Sequence, residues 1–266
     1  MKLRSAGLAA LILMSPLSVA AQSAAAPMRL SLSYDGRLYI KVLDLSFEEN
    51  IGAAGYGAST SMSSYGVLAA FKHFDLKAAA QGRIEAGAAR PGTFTYVNHD
   101  GKRVRQVAAR WDGGQVSMTS APPFTNLGDP PASPAQKWAA ADPLTQLIRI
   151  AVTPAGQSPC DGDNRYFDGK QLYELDLIPA GPGALSAHAR SFGLVNPVRC
   201  TLKYTEVAGF KRKPPSKRNQ GLGEISVTFG QIGPGGPWVI ALMEADTKLG
   251  HARIELHEAR LTRGAP

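Results

Sequence analysis

Apolar and polar side chains alternate along most of this chain, the pattern of strands with one face buried and one in water. The run from Leu38 to Val42 places Leu38, Ile40 and Val42 on one face. Phe94 and Tyr96 on one side, and Val104 and Val107 on the other, flank an Asn98-His99-Asp100-Gly101 turn. Farther along, Leu172, Glu174, Asp176 and Ile178 alternate with Tyr173, Leu175 and Leu177. Ile225, Val227 and Phe229 form another two-residue repeat, followed by Val239, Ala241 and Met243, and by Ala252, Ile254 and Leu256. Asp-Gly pairs begin at Asp35, Asp100, Asp112, Asp161 and Asp168, and that dipeptide tolerates the positive φ of tight hairpins. Together these signals predict ten or so strands in an antiparallel meander.

One segment departs from the pattern. Asp142 and Pro143 read as an N-cap and first-turn pair, and Leu144, Leu147, Ile148 and Ala151 recur at the helical period. Before this short amphipathic helix lies a stretch at about 120–134 that contains Pro122, Pro123, Pro130, Pro131 and Pro134, too rich in proline for the interior of a sheet. It is expected to be an exposed loop connecting two halves of one sheet, with a lid or docking segment as the functional alternative. A long meander with a single apolar helix buries its apolar face by curling around that helix. The expected fold is therefore mainly β, a curved antiparallel meander (open or spiral barrel) wrapped around one short amphipathic helix. Strand counting leaves a closed barrel and a sandwich open.

The first residues change the picture of where the chain works. Lys2 and Arg4 precede an apolar run from Ala6 to Val19, and small residues follow at Ala20, Ala21, Ser23 and Ala24. That is the layout of a cleavable secretory signal, shorter than a bilayer-spanning helix. Residues 1–21 are read as the signal peptide and residues 22–266 as a single β-rich domain, soluble in the periplasm. The chain carries a net charge of +8, and loss of Lys2 and Arg4 leaves it basic. In an envelope, a basic protein is drawn to anionic lipid or glycan rather than to nucleic acid. Cys160 and Cys200 are the only cysteines, and an even pair in an exported protein is most simply a disulfide. Their separation suits neither a redox CxxC motif nor, with two ligands, a closed zinc site.

Several motifs follow in a characteristic order. They are Tyr39 to Phe47 (YIKVLDLSF), Tyr65-Gly66-Val67 with Phe71 and Phe74, Arg90-Pro91-Gly92, the Asp142-Pro143-Leu144 helix start, and Phe167-Asp168-Gly169 with Tyr173. With the later Cys200, Tyr204 and Gly209-Phe210, they make most of residues 30–210 resemble the exported bacterial proteins called domain of unknown function 3108. The resemblance implies an envelope location and a curved sheet similar to those of lipoprotein carriers and of envelope-integrity proteins with a spiral sheet. It implies no catalytic residue.

Candidate chemistry is sparse. There is no Gly-x-Ser-x-Gly elbow and no His-Glu-x-x-His. His251, Arg253, Glu255 and His257 share a strand face, but the two histidines lie about 20 Å apart on an extended strand, too far for one ion. Paired carboxylates occur at Glu48-Glu49 and at Glu174 with Asp176, and the second pair is expected to decorate the surface, although its spacing of about 7 Å is one that glycoside chemistry could use. A basic cluster, Lys211, Arg212, Lys213, Lys217 and Arg218, is interrupted by Pro214-Pro215 and reads as a solvated loop or an anionic-surface contact. Between helix and sheet, Phe71, Phe74, Phe94, Tyr96 and Leu147 are candidates to line a ligand cavity. The expectation is a non-enzymatic periplasmic envelope protein, without cofactor or metal, that binds a lipid or acyl chain or an envelope partner through its curved sheet. The alternatives are a hydrolase of envelope polymers using Glu174 and Asp176, and a purely structural envelope-integrity protein whose interior is filled by those same side chains.

Overall fold

A computed structural model describes residues 26–264, apart from residues 72, 102, 155, 163, 212–221 and 249. The expected signal peptide lies outside the described residues, as do Arg212, Lys213, Lys217 and Arg218 of the basic cluster. The first half of the domain is β1 (Met28–Arg37), β2 (Lys41–Ile51), β3 (Gly55–Ser64), α1 (Gly66–Phe71), β4 (Phe74–Glu85), β5 (Ala88–Asp100), β6 (Arg103–Asp112) and β7 (Gln115–Ala121). Two short helices follow, α2 (Pro134–Ala139) and α3 (Pro143–Ala151). The second half is β8 (Arg165–Phe167), β9 (Leu172–Pro182), α4 (Ala187–Ser191), β10 (Leu194–Ala208), β11 (Leu222–Ile232), β12 (Trp238–Thr247) and β13 (Gly250–Arg263).

All thirteen strands join in one antiparallel sheet, in the order β7-β6-β5-β4-β3-β2-β1-β13-β12-β11-β10-β9-β8. The strands nearest the two chain ends, β1 and β13, pair in its middle, from Met28 opposite Arg263 to Arg37 opposite Arg253. The free edges, β7 and β8, are therefore consecutive in sequence. The sheet curls but does not close. One inward row shows the alternation at work: Phe47, Thr60, Ala78, Tyr96 and Val107 stand opposite one another on successive strands.

The helix read from Asp142 onward is α3, and it lies inside the curl. Asp142 Oδ1 accepts from the backbone amides of Leu144 and Thr145, as an N-cap should. Leu144 and Ile148 are buried, and so are Thr145 and Gln146, because the sheet surrounds the helix on more than its apolar stripe. Among the described residues three further short helices accompany it, where the sequence suggested one. Their few residues present no amphipathic period long enough to register.

Two other expectations need correction. Asp35-Gly36 is not a hairpin turn but lies within β1, where a Cβ on Gly36 would come within 2.6 Å of Leu43 Cβ. Leu38, Ile40 and Val42 do not form one strand face. Residues 38–40 make the bend between β1 and β2, and Tyr39 is 86% exposed. Asp100, Asp112 and Asp168 do sit at hairpin turns, with Gly101, Gly113 and Gly169 at positive φ. Asp161-Gly162 belongs to the loop before β8.

The connection from β7 to β8 begins with the proline-rich segment and continues through α2 and α3, and its contacts hold the two edges together. Trp111 Nε1 of β6 donates to Ala140 O at 3.0 Å, and Ala141 bridges in parallel to Tyr166 of β8. Asp129 N donates to Phe210 O and Gly209 N to Pro130 O, each at 2.9 Å. Most residues of the proline-rich segment are exposed, yet it acts as a strap across the seam. The disulfide joins Cys160, in the loop after α3, to Cys200 in β10, with Cα atoms 6.0 Å apart. It packs with Val227, Phe229 and Trp238 in a buried cluster.

Candidate functional site

Between α3 and the concave face of the sheet is a cavity of about 570 Å³. One wall comes from β2 to β5, with Leu45, Phe47, Met62, Leu76 and Phe94. The other comes from β9 to β12, with Leu175, Leu177, Leu202, Val227, Phe229, Ile240 and Met243. Pro143, Leu144, Leu147 and Ile150 of α3 form the floor between them. Both walls owe their apolar character to strand alternation. Leu175 and Leu177 line the cavity, whereas Glu174 and Asp176, which alternate with them, point outward.

Polar groups are concentrated near the β8–β9 turn. A Cβ at Gly169 would lie 2.4 Å from Val107 Cγ1, so this turn abuts the β5–β6 hairpin where Tyr96 stands opposite Val107. Asp168 Oδ1 accepts the backbone amides of Lys170 and Gln171 at 2.9 and 2.7 Å, which shapes the turn. Burial pushes the Asp168 carboxyl above the usual carboxylate range, against those hydrogen bonds and the charge of Lys170. Burial likewise pushes the Tyr96 hydroxyl up to about 12, with the Asp168 charge adding to the effect. Asn98, two residues from Tyr96 on the same strand face, has a buried Oδ1 with no hydrogen-bond partner.

Of the lining residues expected from the sequence, Phe94, Tyr96 and Leu147 face this cavity. Phe74 begins β4 at its end of the strand and is not part of the lining, and Phe71 closes α1. Lys211 is exposed after the end of β10. Glu174 ion-pairs with Arg165 at 3.6 Å and Asp176 accepts from Asn164 Nδ2, so both carboxylates are engaged by strand neighbours. His251 contacts Asp246 at 2.9 Å and Glu244 at 3.4 Å, which raise its pKa, while His257 lies beside Asp35 and His188. The two imidazoles thus keep separate company.

Sequence reasoning missed Glu49. It is 4% exposed, with Oε2 unpaired, and burial pushes its carboxyl up to about 7. Its neighbour Glu48 points outward to Arg29 and Ser31. The signal was present in the alternation of Leu43, Leu45, Phe47, Glu49 and Ile51, which puts Glu49 on the apolar face.

No protein-family model and no curated protein matches the chain. Among solved structures, the chain is similar to a beta-barrel-like protein of domain of unknown function DUF1849 from Brucella abortus. The TM-score is 0.52 at 12% identity, over 90% of this chain and 98% of that one. At that identity the likeness concerns the fold alone.

Proposed function

We propose that the protein is an exported, non-enzymatic component of the cell envelope that holds a hydrophobic ligand, such as an acyl chain, between α3 and the curved sheet. One observation carries the reading: a cavity of about 570 Å³ remains where the same side chains, packed closer, would have formed a core. That volume falls within the roughly 300–1,000 Å³ of small-molecule sites, and a mostly apolar lining with a few convergent polar groups is typical of them. A filled interior, the purely structural alternative, would reach crystal-like packing and leave little room. The basic n-region and apolar run at the start of the chain, the Cys160–Cys200 bond and the resemblance to the domain of unknown function 3108 proteins support export.

The test is a titration with N-phenyl-1-naphthylamine, a neutral dye that brightens in apolar surroundings. Saturable binding of one dye per chain is expected, weakened at least tenfold by Leu147→Trp, which fills the floor while conserving apolar character. A dye that fails to bind, or binds equally to the filled variant, would remove the cavity from the account.

A further inference from the structure

The polar end of the cavity says what kind of head group the ligand carries. Asn98 Oδ1 is buried without a partner, and an unpaired buried acceptor costs about 1–3 kcal/mol unless a ligand or water reaches it. Asp168 lines the same end and keeps its Oδ2 free of the turn bonds, which both fall on Oδ1. Among the described residues, no lysine or arginine lines the cavity. Two cations whose charge reaches this end are engaged by the strap: Arg105 donates to Pro122 O at 2.8 Å and stacks on Phe124, and Lys170 lies over the same ring at 5.5 Å. The strap thus engages both cations, and Asp168 is the one charged side chain among the described lining residues.

We infer that this end recognises a neutral, hydrogen-bond-donating head group, a hydroxyl or primary amide on a single apolar tail, and discriminates against an anionic one. The inference rests on the ligand-binding reading above. A hydroxyl placed there donates to Asn98 Oδ1, the acceptor that has no other partner, and can accept from the Tyr96 hydroxyl. A carboxylate or sulfate cannot donate to either oxygen, can only accept from a group such as the Tyr96 hydroxyl, and adds a like charge beside Asp168 in a poorly solvated site. An adjoining hollow of about 340 Å³ shares Ile150, Tyr166, Leu175 and Leu177 with the cavity and does contain Arg90 and Arg149. Arg149, however, donates to Ala89 O and Gln146 Oε1, and Arg90 lies 3.9 Å from Glu85.

Displacement of bound N-phenyl-1-naphthylamine by three compounds with the same tail decides the matter: dodecanol, its methyl ether and dodecyl sulfate below its micelle concentration. The ether keeps the tail and the acceptor but has no donor. The alcohol is expected to displace the dye at a concentration roughly fivefold below the ether, and this ratio to fall to about one in Asn98→Leu. Asp168→Asn retains an oxygen for the turn amides and removes the charge, and should improve the sulfate relative to the alcohol roughly tenfold. Equal displacement by alcohol and ether in the unaltered protein, or preference for the sulfate, overturns the inference while the cavity reading stands. Failure of the dye itself to bind overturns both.

Discussion

Tyr56 Oη lies 2.5 Å from Thr145 Oγ1, and this contact fastens the central helix α3 to strand β3 of the surrounding sheet. Thr145 Oγ1 in turn donates to Asp142 Oδ2, so the tyrosine is the donor to the threonine. All three groups are buried, and burial pushes both the Tyr56 hydroxyl and the Asp142 carboxyl upward in pKa. The helix that floors the cavity is thus held by a polar chain rather than by apolar packing alone.

Tyr56→Phe removes one link and is expected to cost about 1–2 kcal/mol, and Thr145→Val somewhat more because it also abandons Asp142. In denaturant unfolding, the double variant should be less destabilised than the sum of the singles by about 1 kcal/mol. Strict additivity would mean that the hydroxyls do not interact in solution.

The disulfide bounds a segment of 40 residues that contains β8, β9 and the β8–β9 turn at the polar end of the cavity. Cys160→Ser or Cys200→Ser should each lose about 4 kcal/mol by the chain-entropy account, and the double variant no more than either single. Two free thiols on titration of the unfolded, unreduced protein would contradict the bond.

Glu49 gives the stability a pH dependence with a definite sign. Its carboxyl rises from an ordinary value of 4.5 to about 7 in the folded state because burial disfavours the charge. The folded protein therefore holds the proton more tightly than the unfolded chain. Its contribution is most favourable below about pH 4.5, declines across the interval and is fully lost above about 7, a total of about 3 kcal/mol. Glu49→Gln should flatten that slope and stabilise the protein above pH 7 by roughly 2 kcal/mol, the amide retaining a desolvation cost of its own. An unchanged slope in unfolding titrations would assign it elsewhere.

How far the sequence disclosed this arrangement depended on the range of the forces involved. Strand alternation and the capped helix are local, so the mainly β meander around α3 was legible, and so was the Cys160–Cys200 pairing. The strap was half legible. Its prolines ruled out a strand interior, but the contacts of Gly128, Asp129 and Pro130 with Gly209 and Phe210 join positions some eighty residues apart and leave no periodic trace. Bulges erase pattern too. Val239, Ala241 and Met243 read as one face, but the register shifts between Thr228 and Phe229 in the facing strand, and the cavity is lined by Ile240 and Met243 instead. Whether Phe94, Tyr96 and Leu147 would fill space or surround it is set by sheet curvature, which alternation alone does not encode.

Native mass spectrometry of the protein released from its own cells without detergent reads directly whether a ligand occupies the space between α3 and the sheet. The expected species is heavier than the processed polypeptide by one small amphiphile, falls to the bare polypeptide mass under denaturing conditions, and is restored by incubation with the cell's lipid extract. A bare polypeptide mass throughout, with no uptake from that extract, would contradict that occupancy.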